Sequence, residues 1–138
     1  MLTKADLEVL ATTRLEDAQL LLQAQRPSSA YYLAGYAVEL ALKACIAKSF
    51  MPNVIPDKAF VAEIYTHSLE KLLGTAGLLA TFTHASKTNP LLAAAWGIAS
   101  TWTETSRYTL WDQVSATGLV QAIGDPQNGV FQWVKKHW

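Results

Sequence analysis

Leu7, Ala11, Leu15, Ala18 and Leu22 recur at spacings of three and four, leaving Glu8, Glu16 and Gln19 on the other side. That period predicts an amphipathic first helix. Thr3-x-x-Asp6 marks its start as a variant capping box. Arg26-Pro27-Ser28-Ser29 ends it and offers a hydroxyl cap to a second helix over residues 29–50. Tyr31, Tyr32, Leu33, Tyr36, Val38, Leu40, Leu42 and Ile46 make this second helix apolar nearly all round. Such a helix is expected at the buried centre of a bundle.

Met51-Pro52-Asn53 through Pro56-Asp57 reads as a loop, followed by a weaker helical stretch over 58–65. A further segment starts near Thr66, with Leu69, Leu72 and Leu73 at helical spacing before Gly74 and Gly77 loosen the chain. Asn89-Pro90 pairs a capping side chain with a first-turn proline. Leu91, Ala95, Ile98 and Trp102 then predict a helix as far as Ser106, while residues 83–89 read as loop-like. Short helices are expected over 112–123 and from Pro126 to the end, the latter because Asp125-Pro126 repeats the cap-then-proline pattern. No segment alternates with period two long enough for a strand. The reading is one all-α domain over residues 1–138, an up-and-down bundle of five to six helices.

Composition narrows what such a bundle could do. Of 138 residues 51% are hydrophobic and 16% charged, against roughly 25% charged in typical domains. This is not the composition of a disordered chain. Eleven basic and eleven acidic residues give a net charge of zero, so the broad positive field of a non-specific nucleic-acid binder is absent. Five Trp residues and the all-apolar helix imply more apolar surface than one bundle hides, and a two-fold homodimer is expected to cover it. The stretch from Ala30 to Ile46 carries Glu39 and Lys43, and reads as a core helix and not a membrane span. With a single cysteine and no signal-like N-terminus, the expected setting is the cytoplasm, without membrane contact.

The common catalytic signatures are missing. Gly74-Thr75-Ala76-Gly77 lacks the lysine and preceding strand of a phosphate loop. His67, His84 and His137 have no ligand spacing, so neither metal nor cofactor is expected. Cys45 lies in the most apolar helix, where a thiol is an inert core group. Glu16 and Asp17 diverge on a helix and read as a solvated face. Two features stand out. Glu39 and Lys43 form an i,i+4 pair inside the apolar helix, either an internal ion pair or a pair met by a ligand. Arg107, followed by Tyr108 and flanked by Trp102 and Trp111, could cap a helix end or stack on bases and hold an anion.

Arg14-Leu15-x-x-Ala18-x-x-Leu21-Leu22, followed by Ala30-Tyr31-Tyr32-Leu33-Ala34-Gly35-Tyr36-Ala37-Val38-Glu39-Leu40-Ala41-Leu42-Lys43-Ala44, strongly resembles the first two helices of HEPN domains. Thr66-His67-Ser68-Leu69-x-x-Leu72 is similar to the start of their third helix, and Arg107-Tyr108 falls where one subgroup carries an Arg-Tyr pair. The resemblance covers residues 7–108; the last thirty match only in being helical. It implies a small all-α bundle, commonly a homodimer, often encoded beside a small nucleotidyltransferase in a toxin–antitoxin-like pair. Many members are ribonucleases in which an arginine is followed four to six residues later by histidine. Here Arg107 is followed by Tyr108, Thr109, Leu110, Trp111, Asp112, Gln113 and Val114, so that histidine is absent. The expectation is therefore a non-catalytic module binding RNA, a nucleotide or a nucleotidyltransferase partner near Arg107, Tyr108, Glu39, Lys43 and His67. The alternatives are a divergent metal-independent ribonuclease, in which His67 moves protons, and a purely partner-stabilising protein.

Overall fold

In the computed structural model, which describes residues 2–138, the chain forms eight α-helices and one 3₁₀ segment, with no strand among the described residues. Helix α1 (Lys4–Gln23) opens at Thr3, whose hydroxyl accepts from the Asp6 N–H while the Asp6 carboxylate accepts from the Thr3 N–H. Two otherwise orphaned donors are thereby satisfied. Leu7, Ala11, Leu15 and Ala18 form its buried face. Helix α2 (Pro27–Ala47) begins on Pro27, two residues earlier than the expected cap at Ser29. Proline fits there because the first helical N–H has no partner to lose. Ser28 caps nothing; its hydroxyl accepts a 2.8 Å hydrogen bond from the Trp111 N–H and ties a distant segment to α2.

The other elements are α3 (Lys58–Ile64), α4 (Leu69–Thr75), α5 (Leu79–Thr88), α6 (Pro90–Ala99), the 3₁₀ segment (Glu104–Tyr108), α7 (Gln113–Gly124) and α8 (Val130–Lys135). Helix α2 runs through the middle: α1 lies along it, and α4, α7, α8 and the 3₁₀ segment pack against it. By length and mean hydropathy (1.2) α2 could cross a membrane, yet 72% of that window is buried inside the bundle. Leu42, Ile46, Leu119, Ile123 and Phe131 are fully buried around it. Each contributes on the order of 1.5–3 kcal/mol of hydrophobic stabilisation.

The eight helices exceed the five to six expected, because short helices α3, α4, α5 and α8 each form a separate element, and three expectations about boundaries also need correction. Residues 83–89 lie largely in helix α5, whose polar stretch Thr83-His84-Ala85-Ser86-Lys87 hides a single core contact, Phe82. Helix α6 stops at Ala99 and not near Ser106, with the Thr101 hydroxyl donating to the Ile98 carbonyl at 2.7 Å. Of the expected stripe only Ala95 is buried within α6: Leu91 and Ile98 face solvent, Leu92 and Ala99 form the inward face with Ala95, and Trp102 turns inward beyond the helix. Pro126 starts no helix: the Asp125 carboxylate accepts from the N–H groups of Gln127 and Asn128 in a turn, and α8 begins at Val130.

The Trp102 indole is 2% exposed and lies flat over the backbone of Gly35. A β-carbon at Gly35 would sit among the ring atoms, so only glycine lets the two segments close. Overpacking of this kind costs ~1–3 kcal/mol, and more where the backbone must move. Gly35→Ala is expected to lower thermal stability by about that amount and to shift tryptophan emission to the red. A variant melting with the wild type would show that Trp102 is not clamped there.

Candidate functional site

Glu39 is the one acidic residue on the apolar face of α2, and its side chain is 1% exposed. Isolating a carboxylate from water is expensive unless donors reach it. Two do. His67 Nδ1 lies 2.7 Å from Oε1, and Lys43 Nζ lies 3.8 Å from Oε2, one helical turn along. The pair read from the sequence is thus satisfied internally, with His67, a candidate site residue whose contact with Glu39 the sequence did not reveal, as third member. His67 is delivered by the turn before α4, where Ser68 caps the helix by accepting from the Lys71 N–H.

The other face of the imidazole meets a second carboxylate. His67 Nε2 lies 3.0 Å from Glu104 Oε2, so the ring bridges α2 to the first residue of the 3₁₀ segment. A neutral imidazole donates from one nitrogen only, whereas the imidazolium donates from both. The bridge is therefore complete when the ring carries two protons. His67 remains 46% exposed and Glu104 38% exposed, so this end of the triad faces solvent.

The 3₁₀ segment is anchored from both ends. Upstream, Trp102 stacks near Tyr32, with ring centroids 6.0 Å apart. Downstream, Trp111 stacks on Tyr31 at 3.7 Å and 9° and donates from Nε1 to the Ser106 carbonyl at 3.1 Å. Arg107 projects between these anchors. Its guanidinium lies 4.9 Å from the centre of the Tyr108 ring. The Tyr108 hydroxyl, and to a smaller degree that of Tyr32, favour its charged form and push its pKa up. Arg107 caps no α-helix and makes no ion pair with a carboxylate among the described residues.

Tyr32, Tyr36, Glu39, Lys43, His67 and Arg107 line one cleft of about 370 Å³, with Leu2, Leu7, Leu40, Trp102 and Glu104 completing its walls. Four of the five residues singled out from the sequence thus meet in one place. Tyr108 does not line it; it supports Arg107 from outside and is 77% exposed. Tyr32, Tyr36, Trp102 and Glu104 are the wall residues that sequence reasoning did not assign. The tyrosines read as core positions of an apolar helix, and Glu104 had no partner in sight. The indole Nε1 of Trp102 is buried without a hydrogen-bond partner, an unmet donor in a cleft wall.

The remaining candidates fall elsewhere. Cys45 is buried, its thiol 3.7 Å from the Val134 carbonyl, and burial pushes its pKa up to about 11. It is no nucleophile. His84 is exposed on α5, and His137 packs on Trp133 near the C-terminus. Burial, with Lys48 and Lys136 adding to it, holds the His137 pKa below the usual value. No group of three or more metal-ligating side chains occurs among the described residues. A larger cleft of about 590 Å³ between α1 and α7 is lined by Gln19, Gln23, Gln121 and Asp125 and offers no cation. No family model, curated protein or solved structure matches the chain.

The Glu39–His67–Lys43 cluster makes a prediction about stability. Removing the imidazole leaves a buried carboxylate held only by a more distant ammonium, and breaking a buried pair this way costs ~3–5 kcal/mol. Exposure of His67 lowers that figure, so a loss of about 2 kcal/mol is expected for His67→Ala. In the double variant His67→Ala/Glu39→Leu the stranded charge is gone, while Lys43 can reach solvent. Urea melts should show the double variant more stable than His67→Ala alone. A double variant less stable than either single change would contradict the bridge.

Proposed function

We propose that the cleft is a binding site for a phosphate-bearing ligand, a nucleotide or a short stretch of RNA, on a HEPN-like up-and-down bundle that does not cleave it. The observation that carries this reading is Arg107. It is a guanidinium without a carboxylate partner among the described residues, held on a tyrosine ring at the mouth of a cleft walled by Tyr32 and Tyr36. A guanidinium fork suits a phosphate, and aromatic walls suit a base. Lys43, 18% exposed and 3.8 Å from Glu39, is loosely enough paired to turn toward an anion. Zero net charge fits a local contact of this kind better than a long electrostatic track.

The working unit on this reading is a homodimer. Tyr108, Leu110 and Val114 are 77%, 93% and 82% exposed on the segment that carries Arg107. Apolar side chains so displayed favour burial against a second copy. A small nucleotidyltransferase encoded nearby, in a toxin–antitoxin-like pair, is the protein partner that the HEPN resemblance suggests. The setting is cytoplasmic on the same reading.

A second reading, metal-independent cleavage of RNA, is favoured by one observation. His67 has a buried carboxylate on Nδ1, the arrangement that orients an imidazole for proton transfer from its other nitrogen. That nitrogen is engaged by Glu104, which substrate would have to displace.

Arg107→Ala tests the first reading. Its melting temperature is expected within a degree or two of wild type, while binding of a short single-stranded RNA or of ATP weakens about tenfold. The difference between the two proteins should shrink as salt rises, because the lost contact is electrostatic. Mixed RNA should survive incubation intact; cleavage abolished by His67→Ala would instead establish the second reading. Sedimentation at micromolar concentration is expected to show a dimer, and a monomer throughout would remove that part of the proposal.

A further inference from the structure

A second cavity lies around the corner from the cleft, where the start of α1 and the end of α2 face α3. It holds about 710 Å³, within the roughly 300–1,000 Å³ of ordinary ligand sites. Its lining is mostly apolar: Ile46 and Phe50 from the end of α2 and beyond, Val61 and Ile64 from α3, and Leu2 and Leu7 from the α1 side. Helix α3 is seven residues long, packs mainly on α4, and has no fully buried residue. Its apolar side chains Val61 and Ile64 are therefore half-covered, turned toward α2 across an open space. Among the described residues no acidic side chain lines the cavity, and its charged lining residues are Lys4 and Lys43, the second with its ammonium turned to Glu39.

We propose that this groove binds a medium-chain aliphatic carboxylate, its chain against Ile46, Val61 and Ile64 and its head group on Lys4. An apolar trough whose charged lining residues are lysines, with Thr3 and Tyr65 as neutral polar neighbours, complements an amphiphilic monoanion, and disfavours both a neutral alkane and an alkyl cation. Lys4 is already paired with Glu8 one turn along α1, but such a surface i,i+4 pair is weak and yields readily to a carboxylate in the groove. Binding also covers the half-exposed face of α3, which supplies the hydrophobic driving force. The site does not depend on the function of the Arg107 cleft, although Leu2, Leu7 and Lys43 border both.

Isothermal titration of the full chain with decanoate, decanol and decyltrimethylammonium, each below its critical micelle concentration, tests the assignment. One decanoate per chain is expected, with decanol at least tenfold weaker and the cation undetected. Ile64→Glu puts a carboxylate in the trough on a helix that contributes no fully buried residue, so it should fold and lose decanoate. Lys4→Gln, at the cavity edge, keeps the fold irrespective of the outcome for Ile64. It should weaken decanoate about tenfold and leave decanol unchanged. Wild-type protein that ignores decanoate, or a Lys4→Gln variant that binds it as wild type does, overturns the proposal. So does an acidic amphipathic peptide that binds where decanoate does not.

Discussion

A carboxylate buried to 1% exposure inside the central helix of a bundle must be met by donors, and meeting Glu39 organises this structure. Helix α2 can sit at the centre only if that charge is neutralised from outside it. Lys43 supplies a partial answer from within the helix. His67 supplies the rest, which requires the 65–68 turn to dock against α2 and so places α4. Through its second nitrogen the same ring holds Glu104 and thereby the 3₁₀ segment that carries Arg107. One buried charge thus couples three stretches of chain that hydrophobic packing alone would leave free to slide.

The cleft formed this way has a definite chemical character. Its acids are engaged by Lys43 and His67, while Arg107 lies on an aromatic ring with no carboxylate facing it among the described residues. Stacking of Trp111 on Tyr31 and of Trp102 near Tyr32 keeps that segment in place without using the guanidinium. Positioning the segment that carries a charged group without pairing that group to a carboxylate is what ligand binding asks of a scaffold. Proton transfer asks for something else, a free imidazole nitrogen, and Glu104 occupies that position. The binding we propose leaves that contact in place.

Much of the fold could be read from residues with strong local signals. Thr3 with Asp6, and Asn89 with Pro90, start helices where the sequence says they should, because capping chemistry is local. The all-apolar run of α2 announced the centre. Asp125-Pro126 misled because the same side chain that caps a helix also closes a turn, and here two backbone donors take it first. Helix α5 stayed hidden because it buries only Phe82 and so shows no stripe. For the site, Glu39, Lys43 and Arg107 were conspicuous as charges in apolar or aromatic company. Glu104 and the bridging role of His67 were not, since they depend on residues 28 and 37 positions away meeting in space. Gly35 gave no signal either; its need appears only once Trp102 folds back over it.

The claim that Arg107 and its neighbours form a ligand site is tested most directly by nuclear magnetic resonance on ¹⁵N-labelled protein titrated with a short single-stranded RNA. The account predicts saturable shifts of the Arg107 side-chain Nε–H, the His67 ring nitrogens and the Trp102 indole N–H, with the Trp133 indole and the α8 amides unmoved. Shifts absent at all three groups, or confined to the far side of the bundle around α8, would contradict it.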